Sequence, residues 1–165
     1  MEFYILFALF TCYNKLTGGF MQTIYAAITV VILDQLTKYM VTSFFDLGET
    51  LPLIPGIFHL TYIINPGAAF GIFPHQSAFF LGIVVLLFVA FLWLRNKIPK
   101  EPFYFPLAVG FLLGGAFGNA IDRVRIQGVI DFFDFRIWPI FNVADIAVCV
   151  GVALIIFYFW RTNND

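Results

Sequence analysis

The sequence predicts an all-α membrane protein: four transmembrane helices carrying a small β-rich extracytoplasmic loop domain. Three observations point there. The 165 residues are 61% hydrophobic and 12% charged, where a soluble domain carries about a quarter charged residues. Mean hydropathy is +0.92. Four apolar stretches, 24–45, 77–94, 103–121 and 141–160, are each long enough for a helix to cross the hydrocarbon, which takes roughly 17–25 residues.

The elements follow in chain order. Residues 1–20 stand outside the domain: Phe3 to Tyr13 is apolar but too short to span, and Glu2 has the wrong sign for a signal peptide. They read as an extension or leader, with an interfacial helix as the other reading. Residues 21–160 form one four-helix domain, and 161–165 a short cytoplasmic tail. The first span, Ile24 to Phe45, carries Asp34 and Lys38 on one helix face, four residues apart. An ion pair there lets both charges tolerate the membrane, and also suits a support for a nearby site. The loop 46–76 holds Pro52, Pro55 and Gly56, which break helices, and then Ile57 to Ile64, β-branched and aromatic as strands are. Asn65-Pro66-Gly67 is a turn, and Ala68 to Phe73 is expected to return as the second arm of a hairpin. His59 and His75 lie in this loop and read as structural or solvated. The second and third spans are uncharged, and Gly110, Gly114 and Gly118 recur along the third as a face for close helix packing. The fourth span has Asp145 as its only charge before Arg161.

Charge sets the orientation. Lys15, Arg95, Lys97, Lys100 and Arg161 lie on one side, and Arg123, Arg125 and Arg136 on the other. The positive-inside rule therefore makes both termini cytoplasmic. The loops 46–76 and 122–140 then face outward.

Four of the ten acidic residues (Asp122, Asp131, Asp134 and Asp145) fall between Gly114 and Asp145. Acids beside membrane helices usually mark function, because charge near lipid is costly. Other chemistries drop out. Ser43 and Ser77 sit in no nucleophile motif, and two histidines without HExxH do not make a zinc protease. No metal or cofactor is implied, and the near-zero net charge points to no nucleic acid. Cys12 and Cys149 lack metal-like or redox spacing and read as small buried hydrophobes. A pair of carboxylates remains: one charged member takes a proton from water, the other donates to an amide carbonyl. Asp145, one turn into the fourth helix, is one member, although Asn142 and Asp145 also fit a capping box. For its partner the residues leave three candidates. Asp122, beside Arg123, also reads as an ion pair or polar anchor. Asp134 reads as solvated and has no distinguishing partner. Asp131 leads because its strand-like surroundings, Gly128 to Phe132, are apolar and raise a carboxyl pKa. A proton-coupled transporter is the rival class, but its acids would run across the membrane rather than gather at one surface.

From Met21 to Trp160 the chain resembles the bacterial lipoprotein signal peptidases, also called signal peptidase II. Five segments carry the resemblance in order: Asp34-Gln35-Leu36-Thr37-Lys38; Asn65 to Gly71; Gly114 to Arg123; Val129-Ile130-Asp131-Phe132; and Phe141-Asn142-Val143-Ala144-Asp145. The resemblance implies an aspartic endopeptidase of the bacterial inner membrane, with Asp131 and Asp145 as the catalytic dyad. It implies polar roles for Asn65, Gly67, Asn119, Arg123 and Asn142 around the dyad and substrate. Asp34, Lys38 and Asp122 are implied to shape the site. The implied substrates are diacylglyceryl-modified prolipoproteins, cut before the lipidated cysteine. Globomycin-type inhibitors, membrane lipids and a monomeric enzyme complete the picture.

Overall fold

The computed structural model describes the backbone of residues 2–67 and 76–164, with side chains described from residue 19 onward. Its elements are α1 (Glu2–Phe44), β1 (Thr50–Ile54), β2 (Phe58–Asn65), α2 (Ser77–Leu94), a 3-10 turn (Arg95–Lys97), α3 (Tyr104–Ile126), β3 (Val129–Asp134) and α4 (Val143–Thr162). Four helical segments are long and apolar enough to span: Gly19–Phe44, Ser77–Lys97, Tyr104–Ile126 and Val143–Thr162. The segment treated above as a separate leader is continuous with the first span in one helix. Gly18 and Gly19 do not interrupt it, since each costs only about 1 kcal/mol relative to alanine. The third helix runs five residues beyond the expected end at 121, because Asp122, Arg123 and Arg125 prolong it past the apolar stretch.

α3 is the central helix, packed between α1 and α4, with α2 laid mainly against α3. Its small residues permit this. A Cβ on Gly114 would lie 2.6 Å from the Ala27 carbonyl oxygen on α1, and one on Gly115 would strike the Ala144 carbonyl oxygen on α4. Two neighbouring glycines thus bring two backbones against one helix, as membrane interfaces favour.

At one end of the bundle lies a three-stranded sheet in the order β1-β2-β3. Both pairings are antiparallel. The expected strand 57–64 is β2. It pairs with the preceding segment, Thr50–Ile54, and across the bundle with β3. β1 contains Pro52, which an edge strand tolerates. Ala68 to Phe73, the expected second arm, and His75 lie outside the described residues. In the β2–β3 register Asn65 faces Val129, Ile63 faces Asp131 and His59 faces Asp134. Val41, Ile130 and Phe132 form the apolar cluster that seats the sheet on the end of α1. The loop around Pro99 lies at the opposite end, against Gly19.

Candidate active site

Helix ends and one strand bring the predicted polar residues together. α3 ends at Gln127, which takes a left-handed conformation (φ 56°) and returns its N–H to the Arg123 carbonyl. The chain turns at once into β3. Ile130 in that strand is held on both sides by side chains. Its N–H donates to Asp122 Oδ2 over 3.2 Å and its carbonyl accepts from Asn142 Nδ2 over 3.2 Å. Asp131 is therefore fixed in direction, and it is 2% exposed.

Asp145 comes from the first turn of α4. The expected capping box is formed: Asn142 Oδ1 accepts from the Asp145 N–H over 2.9 Å, and Asp145 Oδ2 accepts from the Asn142 N–H over 3.1 Å. Capping and a chemical role are compatible, because only Oδ2 of Asp145 is used by the cap. Its Oδ1 accepts from Asn119 Nδ2 over 2.8 Å. Asp131 Oδ1 accepts from Asn142 Nδ2 over 2.7 Å and its Oδ2 from Asn65 Nδ2 over 3.0 Å. Each of the four oxygens on the two aspartates thus has one N–H donor.

The amides are themselves oriented. Asn65 Oδ1 accepts from the Gly67 N–H over 3.0 Å, which turns its Nδ2 toward Asp131. Arg123 donates to the Gly67 carbonyl over 3.1 Å and lies over the Phe80 ring, 4.6 Å from its centroid, so it ties this turn to α2 and α3. Behind the aspartates Lys38 is buried. Its Nζ lies 2.9 Å from Asp34 Oδ2, 2.7 Å from Asp122 Oδ2 and 3.0 Å from Asn119 Oδ1. The ion pair expected of Asp122 is formed with Lys38 rather than with its neighbour Arg123. Asp34 also accepts from the Ala144 N–H over 3.0 Å, which pins the start of α4 to α1.

Burial is the largest influence on Asp131, and the neighbouring Asp145 charge adds to it. Against the donors from Asn65 and Asn142 and the Lys38 charge, these push its pKa up to about 7. An acid in that range can hold a proton at neutral pH and still release it.

Asp131 and Asp145 open onto a cavity of about 430 Å³. Asn65, Gly67, Asn119 and Arg123 line its polar side; Trp138, Phe141, Ile146, Val148, Cys149 and Val150 line its apolar side. Cys149 is exposed here, not buried as its apolar surroundings in sequence had suggested, because its face of α4 lines the cavity. Asp34, Lys38, Asp122 and Asn142 do not line the cavity and sit behind it. Among the described residues no cluster of His, Cys, Asp or Glu could hold a metal ion.

Asp134 lies elsewhere and is not solvated. It is 3% exposed on the outer part of the sheet, accepting from the Thr61 hydroxyl, the Arg136 N–H and the Arg136 guanidinium, each over 2.8 Å. These partners come from β2 and from a tight turn, neither of which was legible around FFDF. Gln35 is the residue that sequence reasoning passed over. Its Nε2 lies 3.2 Å from Asp34 Oδ2, Asp122 Oδ1 and the Gly118 carbonyl alike. Its place between Asp34 and Lys38 on the first span was the available signal.

Comparison with known proteins gives the family. Residues 26–161 match the family model described as signal peptidase (SPase) II. The chain is 44% identical over 129 residues to a lipoprotein signal peptidase of Moorella thermoacetica, covering 78% of this chain and 86% of that protein. It is 42% identical over 135 residues to the lipoprotein signal peptidase of Halothermothrix orenii, covering 82% and 92%. A bacterial membrane enzyme solved by the in meso method at 2.3 Å superposes with a TM-score of 0.79 at 35% identity, covering 86% of this chain and 88% of that one. Fold and family match together define a multi-pass bacterial membrane peptidase. The chain belongs to the signal peptidase II family.

Proposed function

We propose that the chain removes signal peptides from diacylglyceryl-modified prolipoproteins, cutting on the amino side of the lipidated cysteine, with Asp131 and Asp145 as an aspartic dyad. The carrying observation is that both carboxylates face one cavity with a polar and an apolar wall, and that each of their oxygens accepts a single N–H. With Asp131 titrating near 7, one proton is shared by the pair at neutral pH. The charged carboxylate takes a proton from the attacking water while the protonated one donates to the scissile carbonyl oxygen. The proton gained from water then passes to the leaving nitrogen as the C–N bond breaks, and the gem-diol returns a hydroxyl proton to the carboxylate that had donated, which restores the pair. No covalent intermediate is required.

The polar wall suits a peptide backbone. Asn65, Asn119 and Arg123 present donors there, and the apolar wall from Trp138 to Val150 suits the lipid attached to the cysteine. The sheet and dyad lie at the end of the bundle opposite the basic Arg95–Lys100 loop. By the positive-inside rule that loop is cytoplasmic, so the site faces the extracytoplasmic surface, where lipidated substrates emerge. The test is the mass shift of a purified prolipoprotein bearing a diacylglyceryl cysteine, incubated with the protein in lipid or detergent. Release of the intact signal peptide supports the proposal. Equal cleavage of the unlipidated precursor would remove the lipid from the recognition and contradict that part of it.

A further inference from the structure

The ammonium group of Lys38 is 2% exposed and lies in the bundle with two carboxylates that are 0% and 1% exposed. Such burial is costly, and well-packed apolar residues of similar volume often serve stability as well or better. Helix packing alone therefore does not account for the triad. The ammonium's three protons are all placed, on Asp34, Asp122 and Asn119. A lysine can only donate. Asn119 must then show it an oxygen, which sends Asn119 Nδ2 toward Asp145. Asn119 Oδ1 also accepts from Asn142 Nδ2 over 3.0 Å, and Asn142 points its nitrogen toward Asp131 and its oxygen toward the Asp145 N–H.

We propose that Lys38 is a positioning residue for the reaction: its ammonium group holds the Asn119 oxygen and so presents the Asn119 N–H to Asp145. This rests on the dyad reading. Lys38 itself is behind the cavity wall and touches neither carboxylate of the dyad. The charged groups facing the dyad are Lys38 and Asp34 from α1 and Asp122 and Arg123 from α3; the sheet contributes neutral Asn65. Without the lysine the Asn119 oxygen loses its charged donor, and a reversed Asn119 aims an oxygen at Asp145; Asn142 stays held by the Asp145 N–H and the Ile130 carbonyl.

The test is Lys38→Met, with kcat, KM and the pH dependence of kcat/KM measured on lipidated prolipoprotein. The expected result is a fall in kcat of about 100-fold, as displaced catalytic groups produce, with KM little changed. The alkaline limb moves to higher pH, because the lost charge favoured ionised Asp131. Should Asp34 and Asp122, left unpaired, prevent folding, the neutral triple variant Asp34→Asn, Lys38→Met, Asp122→Asn carries the kcat and KM readout with the same expectation; its limb is not compared, because two negative charges leave with the positive one. A purely structural role lowers the melting temperature and the yield of active enzyme but leaves kcat per folded molecule at the parent's value, so an unchanged kcat in either folded variant, or an unmoved limb in folded Lys38→Met, overturns the proposal. Asp131→Asn is assayed alongside. If it still cuts, the dyad reading itself fails; if it is dead and the Lys38→Met limb has not moved, only the role of Lys38 fails.

Discussion

Asn142 Nδ2 donates to Asp131 Oδ1 over 2.7 Å, and the same side chain caps the helix that carries Asp145. One residue thus couples the two aspartates to each other and to the fold. The two duties are separable. Serine caps a helix about as well as asparagine, but its single O–H cannot replace the donors that Asn142 Nδ2 gives to Asp131, Ile130 and Asn119. Asn142→Ser is expected to lose about 1–3 kcal/mol, for the buried acceptors left without a donor, and to remain folded. Its kcat is expected to drop by about 100-fold. Thermal unfolding in detergent and steady-state cleavage measure the two separately. Parallel losses, with activity falling only as far as the folded fraction, would reduce Asn142 to a cap.

The dyad is expected to impose an alkaline limb on kcat/KM near pH 7, where Asp131 gives up the shared proton. Asn65→Ala removes a donor that favours the ionised form, so the limb moves to higher pH. The same group affects stability in the opposite sense to most carboxylates. Its folded pKa is raised above the ordinary 3.8. Its contribution is complete below that value and is lost as pH rises through about 7. Unfolding midpoints of the parent and Asp131→Asn, compared across that window, are expected to diverge, with the variant gaining relative to the parent as pH rises.

Asp134 runs the other way. Burial pushes its carboxyl up, but the Thr61 hydroxyl and the two Arg136 donors outweigh that and hold it below 3.8. Its contribution is present above the ordinary value and lost as pH falls through the folded one. Asp134→Asn is therefore expected to be less stable than the parent at neutral pH and to lose less on acidification. Because Asp134 is remote from the cavity, cleavage by the folded variant is expected to match the parent. A large loss of kcat would place Asp134 in the chemistry instead.

Gly115→Ala sets a methyl group against the Ala144 carbonyl and within 2.8 Å of Val148 Cγ2. Both lie in the first turns of α4, beside Asp145. Overpacking of this kind costs about 1–3 kcal/mol. The variant is expected to melt earlier and to lose activity as well, since relief of the clash moves the helix that carries Asp145. Gly82→Ala, inside α2 with open space around it, is expected to gain up to about 1 kcal/mol from helix propensity and serves as the unclashed control in the same melting series.

The sequence made the spans legible because they are long, uniformly apolar and bounded by charge or proline; α2 coincides with the expected 77–94. It was weaker wherever a contact crosses the chain. β1 was hidden by Pro52, whose helix-breaking character says nothing about an edge strand. The pairing of β2 with β3 joins Asn65 to Val129 across two helices, and no local pattern encodes that. Asp131 could be ranked first from its apolar neighbours, and burial is indeed the largest influence on its pKa. Its donors come from β2 and the start of α4, and the α3 donor goes to Asp145, so the full shell required the fold. Asp134 was misjudged for the same reason: FFDF does not reveal that Thr61 faces it.

The central claim is that Asp131 and Asp145 act together on a lipidated peptide. The direct measurement is the cleavage of purified diacylglyceryl prolipoprotein, followed by mass, for the parent, Asp131→Asn and Asp145→Asn, each shown to be folded by its melting transition. The parent is expected to release the signal peptide, and both variants to fall by at least about 100-fold, the lower range for loss of a general acid or base. A folded variant that cuts at the parent's rate would contradict the dyad and leave that aspartate as a structural group.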